Sequence, residues 1–123
     1  MTDEAEEWLD SLDAKSKDAV LVDIGSLEEL GPNLGRPYVE TLKDSRHSNL
    51  KELRTDHDHH HYRIAFAFDP KRHGILLIGG DKTGADQKRF YKRLVKDADT
   101  IFDRHLAELA REKAKQKTKE KKP

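Results

Sequence analysis

The chain has 123 residues, in which 24 Lys and Arg balance 24 Asp and Glu; hydrophobic residues make up 34% and cysteine is absent. That length supports one domain with a single modest core, and the lack of cysteine excludes disulfide staples, thiolate metal sites and a cysteine nucleophile. No apolar run approaches the roughly 18 residues of a membrane span, and the acidic start is the opposite of a signal peptide's basic region, so the cytoplasm is the expected compartment.

The neutral total hides a polarity along the chain. Residues 1–13 carry Asp3, Glu4, Glu6, Glu7, Asp10 and Asp13 without a base, while the middle leans basic and the end is rich in lysine. A polyanionic partner is compatible with this pattern but not demanded by it. In Glu4 to Leu12 the apolar residues Ala5, Trp8, Leu9 and Leu12 recur at helical spacing, and Ala19, Val20, Ile24, Leu27 and Leu30 form a second set. A short link around Asp13 to Lys17 makes these an antiparallel helical hairpin with its apolar stripes facing a sheet, and Gly31-Pro32 closes the second helix.

After a loop over residues 31–37, Tyr38 to Lys43 and Asn49 to Arg54 alternate apolar and polar residues, the period of half-buried strands. Tyr62 to Phe68 and Gly74 to Gly80 are two richer strands, joined through the turn composition of Asp69 to Gly74. Helical pattern returns over Asp86 to Arg93 and again from Asp97 to about Arg111, which predicts two C-terminal helices. Residues 1–110 are expected to form the domain, and residues 111–123 a basic tail, a solvated helical extension fraying into disorder.

His57, His59, His60 and His61 stand together with Asp56 and Asp58, and imidazole and carboxylate are ligands for divalent transition metals. In an extended strand, however, His59 and His61 share one face while His60 points away, and a zinc site usually draws ligands from more than one element. The segment from Thr55 to His61 is therefore expected to be a solvent-exposed tip without a metal of its own. Arg54 and Arg63 flank it. If their strands pair, both guanidiniums lie near one end of the sheet, where they can hold phosphate or can simply pair with carboxylates such as Glu52 and Asp56.

Several stretches keep a common order: Leu34-Gly-Arg-Pro37, Leu42-Lys43, Ser45-Arg-His47, Asn49-Leu-Lys-Glu-Leu-Arg54, Tyr62 to Pro70, and Ile75 to Lys82, followed by Phe90-Tyr91 and Ala98-Asp99. Together they resemble the RelE/ParE superfamily of type II toxins, and within it the phage-derived HigB-like branch. The resemblance covers about residues 3–109. It implies an α+β fold in which an N-terminal helical hairpin packs on a twisted antiparallel sheet, with C-terminal helices. RNase members of the superfamily cut messenger RNA in the ribosome without metal or other cofactor. Their antitoxins in this branch are helix-turn-helix proteins, through which alone operator DNA is reached, and no membrane is involved.

Carried over by motif, Arg54, Arg63, Lys82 and Tyr91 are the expected catalytic residues, and Lys43, Arg46, His47 and Lys51 the expected RNA-binding ones. Attack of a 2′-hydroxyl on the adjacent phosphate needs a proton acceptor, charge stabilisation and a proton donor. Arginine and lysine supply the second; Lys51, Tyr91 and His47 are candidates for the proton transfers, and Tyr91 can equally stack on a base. Two features depart from the superfamily: the first helical pattern begins at Asp3 where relatives usually place a strand first, and the histidine tip matches no family motif. Two other readings share the fold, a gyrase-binding inhibitor like ParE and a non-catalytic module that binds an antitoxin.

Overall fold

A computed structural model describes residues 1–120, with side chains described through residue 117. The elements run α1 (Asp3–Asp10), α2 (Ala14–Leu30), a single 3-10 turn (Gly31–Asn33), β1 (Val39–Thr41), β2 (Lys51–His57), β3 (His60–Phe68), β4 (Gly74–Asp81) and α3 (Gln87–Glu120). The four strands form one antiparallel sheet in the order β1-β2-β3-β4. This is the RelE-like α+β arrangement that the motifs imply. No helix among the described residues is long and apolar enough to cross a membrane.

Thr2 caps α1 by accepting from the Ala5 N–H, and Asp3, Glu4 and Glu6 place negative charge at the positive end of the helix dipole. The second helix starts at Ala14, earlier than its apolar stripe suggests. Asp13 accepts from the Ser16 N–H at 2.8 Å and caps it, so the link is shorter than Asp13 to Lys17. Ser16 is itself buried, and its hydroxyl accepts a 2.9 Å hydrogen bond from Tyr62 on the sheet. Tyr62→Phe, which removes that bond and little else, is expected to cost about 1 kcal/mol in a urea titration.

The sheet is covered on both faces. On one, Ala5, Leu9, Val20, Ile24 and Leu27 of the hairpin pack on Leu53, Ile64, Phe66 and Leu76. On the other, Leu94, Val95, Ala98, Ile101 and Phe102 of α3 pack on Leu50, Ala65, Ala67 and Leu77. This explains why β3 reads as a nearly unbroken apolar run while β2 alternates more clearly: β3 is a central strand buried from Tyr62 to Ala67. It also explains why two predicted C-terminal helices are one. Leu94, Val95, Ala98, Ile101 and Phe102 continue a single helical stripe, and Lys96 and Asp97 between them lie off it.

Other predicted boundaries move outward or inward. The first strand shrinks to Val39–Thr41, and β2 and β3 extend past Arg54 and before Tyr62 until only Asp58 and His59 remain between them. Both turn residues have positive φ, 48° and 66°, as a tight two-residue hairpin turn requires. The long tip expected over Thr55 to His61 is thus mostly paired strand. α3 continues through Glu120, exposed on every side from Arg111 to Lys117, so the solvated helical extension is present; the expected disorder beyond residue 120 lies outside the described residues.

Candidate functional site

Strand alternation decides which charged groups can meet. On β2, Glu52, Arg54 and Asp56, like Leu50 just before it, face α3, whereas Lys51, Leu53 and Thr55 face the helical hairpin. Arg54 lies directly opposite Arg63 in the β2–β3 register, and Arg63 opposite Gly80 of β4. Lys82 follows the end of β4, its backbone held by a 3.0 Å N–H bond to the His61 carbonyl. Its ammonium lies 5.7 Å from the centre of the Tyr91 ring, a cation–π contact. All four expected catalytic residues therefore come together, from β2, β3, the end of β4 and the start of α3.

The glycines are what permit this. Gly79 and Gly80 sit within β4 and not in a turn: a Cβ on Gly80 would stand 2.9 Å from the Phe90 ring, and one on Gly79 2.3 Å from that of Trp8. Phe90 can thus seat α3 close over β4, which brings its neighbour Tyr91 to Glu52.

Glu52 is the member that motif reasoning placed outside the site. Only 4% exposed, it accepts a 3.2 Å hydrogen bond from the Tyr91 hydroxyl on Oε1 and lies 3.7 Å from Nε of Arg54. Burial pushes its carboxyl above the ordinary range, although Tyr91, Arg63, Arg54 and Lys82 all oppose the shift. Burial likewise pulls the Lys82 ammonium down, reinforced by Arg63 and Arg54, and burial and then Glu52 push the Tyr91 phenol up. The alternation of β2 and the pairing of Arg54 with Arg63 were the available signals for Glu52, since they put it on the same face as both.

Arg63 is 2% exposed, and its Nη1 donates to Asp56 at 3.0 Å and to the Tyr62 carbonyl at 2.8 Å. Both pairings considered from sequence, Arg54 with Glu52 and Arg63 with Asp56, are therefore present. They leave a residue: among the described residues, the buried side-chain polar atoms without a hydrogen-bond partner are Glu52 Oε2, Arg54 Nε and Arg63 Nε, all in this one cluster. Such atoms are costly to leave unpaired unless something else serves them.

Beside the cluster an open groove of about 1220 Å³ runs between β1–β2 and the start of α3. Glu52, Arg54 and Tyr91 line it together with Lys43, and Lys88 and Lys92 project from the helix side; Glu40, Asp44 and Asp86 add negative charge. The remaining RNA-binding candidates are elsewhere. Lys51 is on the opposite face of β2. Arg46 and His47 are both engaged by Asp103, with His47 Nε2 at 2.7 Å, and Asp103 is about 18 Å along α3 from Tyr91.

Two of the four tip histidines pair with single carboxylates. His60 Nδ1 is 2.6 Å from Asp81 and His61 Nδ1 2.9 Å from Asp56, and among the described residues no three such side chains converge as metal ligands. The tip has a mechanical connection to the site that its composition did not suggest. His61 donates its N–H to Thr83 and accepts from Lys82, so the hairpin end holds the loop that carries the lysine.

A model of the phage-derived Gp49-like protein family matches residues 7–103. The chain belongs to this family. Within it the chain is HigB-like and of the RelE/ParE type, as the ordered motifs implied. Two proteins of Mycobacterium tuberculosis (strain ATCC 25618 / H37Rv) are similar along most of it. "Putative toxin HigB2" is 42% identical over 115 residues, 93% of this chain and 57% of the relative. "Putative toxin HigB3" is 42% identical over 104 residues, 85% of this chain and 89% of the relative. The chain thus spans little more than half the length of the first and most of the second. No solved structure matches it significantly.

Proposed function

We propose that this Gp49-like protein is the toxin of a type II toxin–antitoxin system and acts as a metal-independent endoribonuclease on messenger RNA in the ribosome, neutralised by a helix-turn-helix antitoxin. The names of the two relatives support the toxin reading. The observation that carries the nuclease reading is the cluster of unpaired buried atoms: two guanidinium N–H donors, of Arg54 and Arg63, and a carboxylate oxygen of Glu52, with Arg54 and Glu52 lining a groove. Donors of this kind suit a phosphate, and an acceptor beside them suits the hydroxyl that attacks it.

In this reading Arg54 and Arg63 neutralise the charge that builds on the phosphorus during attack, Lys82 adds a third cation, and Tyr91 orders Glu52 and presents its ring to a base. Lys43 extends the cationic contact along the groove. Residues 1–110 form the functional unit and residues 111–123 a basic appendage to it.

The test is to map mRNA 5′ ends in a purified translation reaction with and without the protein. New ends that require translation support the reading; intact mRNA with a folded preparation, together with DNA damage in cells, would replace it by gyrase inhibition, and no effect of either kind by a binding module. Lys51→Ala and His47→Ala, whose side chains lie away from the cluster, are expected to cleave at the parent rate in the same reaction.

A further inference from the structure

We infer that Glu52 is the proton acceptor of the cleavage step. The inference rests on the endoribonuclease reading and supplies the group that reading leaves unassigned.

Among the groups of the cluster and those that touch it, Glu52 is the one left to take a proton. Arg54, Arg63 and Lys82 are cations without a lone pair to offer. The Tyr91 hydroxyl is spent as a donor to Glu52, and its phenol is shifted upward by burial first and by Glu52 next, so it stays protonated at neutral pH. Asp56 offers Oδ1 to both Arg63 and His61, and although burial alone would raise it, those bonds hold its carboxyl below the usual range and make it a weak base. Glu40, the cross-strand neighbour of Glu52, is held by Arg36 at 2.5 Å. Lys51 and His47 do not reach the cluster.

Glu52 has the opposite properties. Its Oε1 is fixed by Tyr91, which leaves Oε2 shielded from water, without a partner, on a residue that lines the groove. The groups that face it are Glu40 from β1, Arg54 from its own strand, Arg63 from β3, Lys82 after β4 and Tyr91 from α3. Desolvation strengthens its affinity for a proton, which is what general-base catalysis near neutral pH requires.

In the step, the 2′-hydroxyl O–H bond breaks and its proton passes to Glu52 Oε2 as the 2′-oxygen forms a bond to phosphorus. The bond from phosphorus to the 5′-oxygen breaks, and that oxygen takes a proton from the Lys82 ammonium, which burial and the two arginines have made more acidic. The products are a 2′,3′-cyclic phosphate and a 5′-hydroxyl, and proton exchange with water restores Glu52 and Lys82. No oxidant, metal or co-reactant is needed.

The experiment is single-turnover cleavage of ribosome-bound mRNA by the full chain across pH 5 to 9, for the parent, Glu52→Gln and Glu52→Asp, with binding to a 2′-deoxy substrate measured in parallel. The parent rate should rise with pH as Glu52 ionises, above the ordinary carboxylate range. Glu52→Gln should lose roughly 10²-fold or more in rate together with that rise, while binding the 2′-deoxy substrate as the parent does; Glu52→Asp should recover part of the rate and the rise with it. The Tm of Glu52→Gln at neutral pH should equal or exceed the parent's. A carboxyl raised on folding contributes most when protonated and works against the fold once pH passes its folded pKa. Cleavage by Glu52→Gln at the parent rate, or with the same pH rise, would overturn the assignment and leave the nuclease reading standing. A folded parent that cleaves no RNA would overturn both.

Discussion

Arg63→Ala is expected to lower the cleavage rate by on the order of 10²–10³-fold, the usual cost of removing one pre-placed group from a developing negative charge. The effect should be in the rate and not in the fold. Arg63 stands directly opposite Arg54, a like-charge pair across two strands, so its removal relieves a repulsion. Asp56 is largely exposed and keeps His61, and Glu52 keeps Tyr91 and Arg54, so no buried charge is abandoned. Expression of the variant should no longer inhibit growth, while its circular dichroism and melting curve remain those of a folded protein. A folded variant with full cleavage activity would remove Arg63 from the chemistry.

Gly79→Ala should be the more damaging change to stability, by about 1–3 kcal/mol in a denaturant titration with unchanged m value. The added Cβ would lie 2.3–2.6 Å from three ring carbons of Trp8, which packs on the hairpin side of the sheet and meets Tyr62 edge to face. An indole held between α1 and β4 cannot yield by rotating a flexible end. If the penalty comes from that collision, it should largely vanish in a Trp8→Ala background, a non-additivity expected only of residues in contact. Equal penalties in the two backgrounds would assign the loss to β4 itself.

These two residues mark what could be read from the chain. Alternation and turn composition located the strands, and the apolar stripes of α1 and of the second half of α2 placed the hairpin on the sheet. The start of α2 was hidden because it depends on a cap, Asp13 to Ser16, and not on an apolar residue. The unity of α3 was hidden because the polar Lys96 and Asp97 interrupt the apolar run, although Val95 and Ala98 carry the stripe across them. The strand reading of Gly74 to Gly80 included the double glycine, but only the close approach of Trp8 on one face and Phe90 on the other shows why glycine stands there.

The site divides in the same way. Arg54, Arg63, Lys82 and Tyr91 were named by motif, and the fold brings them together: Arg54 and Arg63 because they are paired across neighbouring strands, and Tyr91 because Phe90 seats α3 over Gly80. Glu52 shares the strand face of Arg54 but was weighed only as a counter-ion, since its burial depends on Tyr91, 39 residues away. Lys51 is set apart by phase, being one residue from Glu52 and hence on the other face of β2. Arg46 and His47 are set apart by tertiary contacts, because Asp103 and Asp99 of α3 engage them.

In the nuclease proposed above, the bond between Asp56 and Arg63 would make the protein carry its own rival for the substrate. A phosphate that approaches Arg63 has to win Nη1 from a carboxylate already 3.0 Å away, so an uncleaved strand gains less from that guanidinium than it would from an unoccupied one. As attack proceeds and charge accumulates on the phosphoryl oxygens, the exchange becomes favourable, and the released Asp56 still has His61 beside it. On that proposal the competition would fall mainly on the resting substrate and spare the transition state, which is the discrimination that raises turnover in place of mere retention. Tight holding of intact RNA would work against an enzyme that must let one cleaved message go to reach the next.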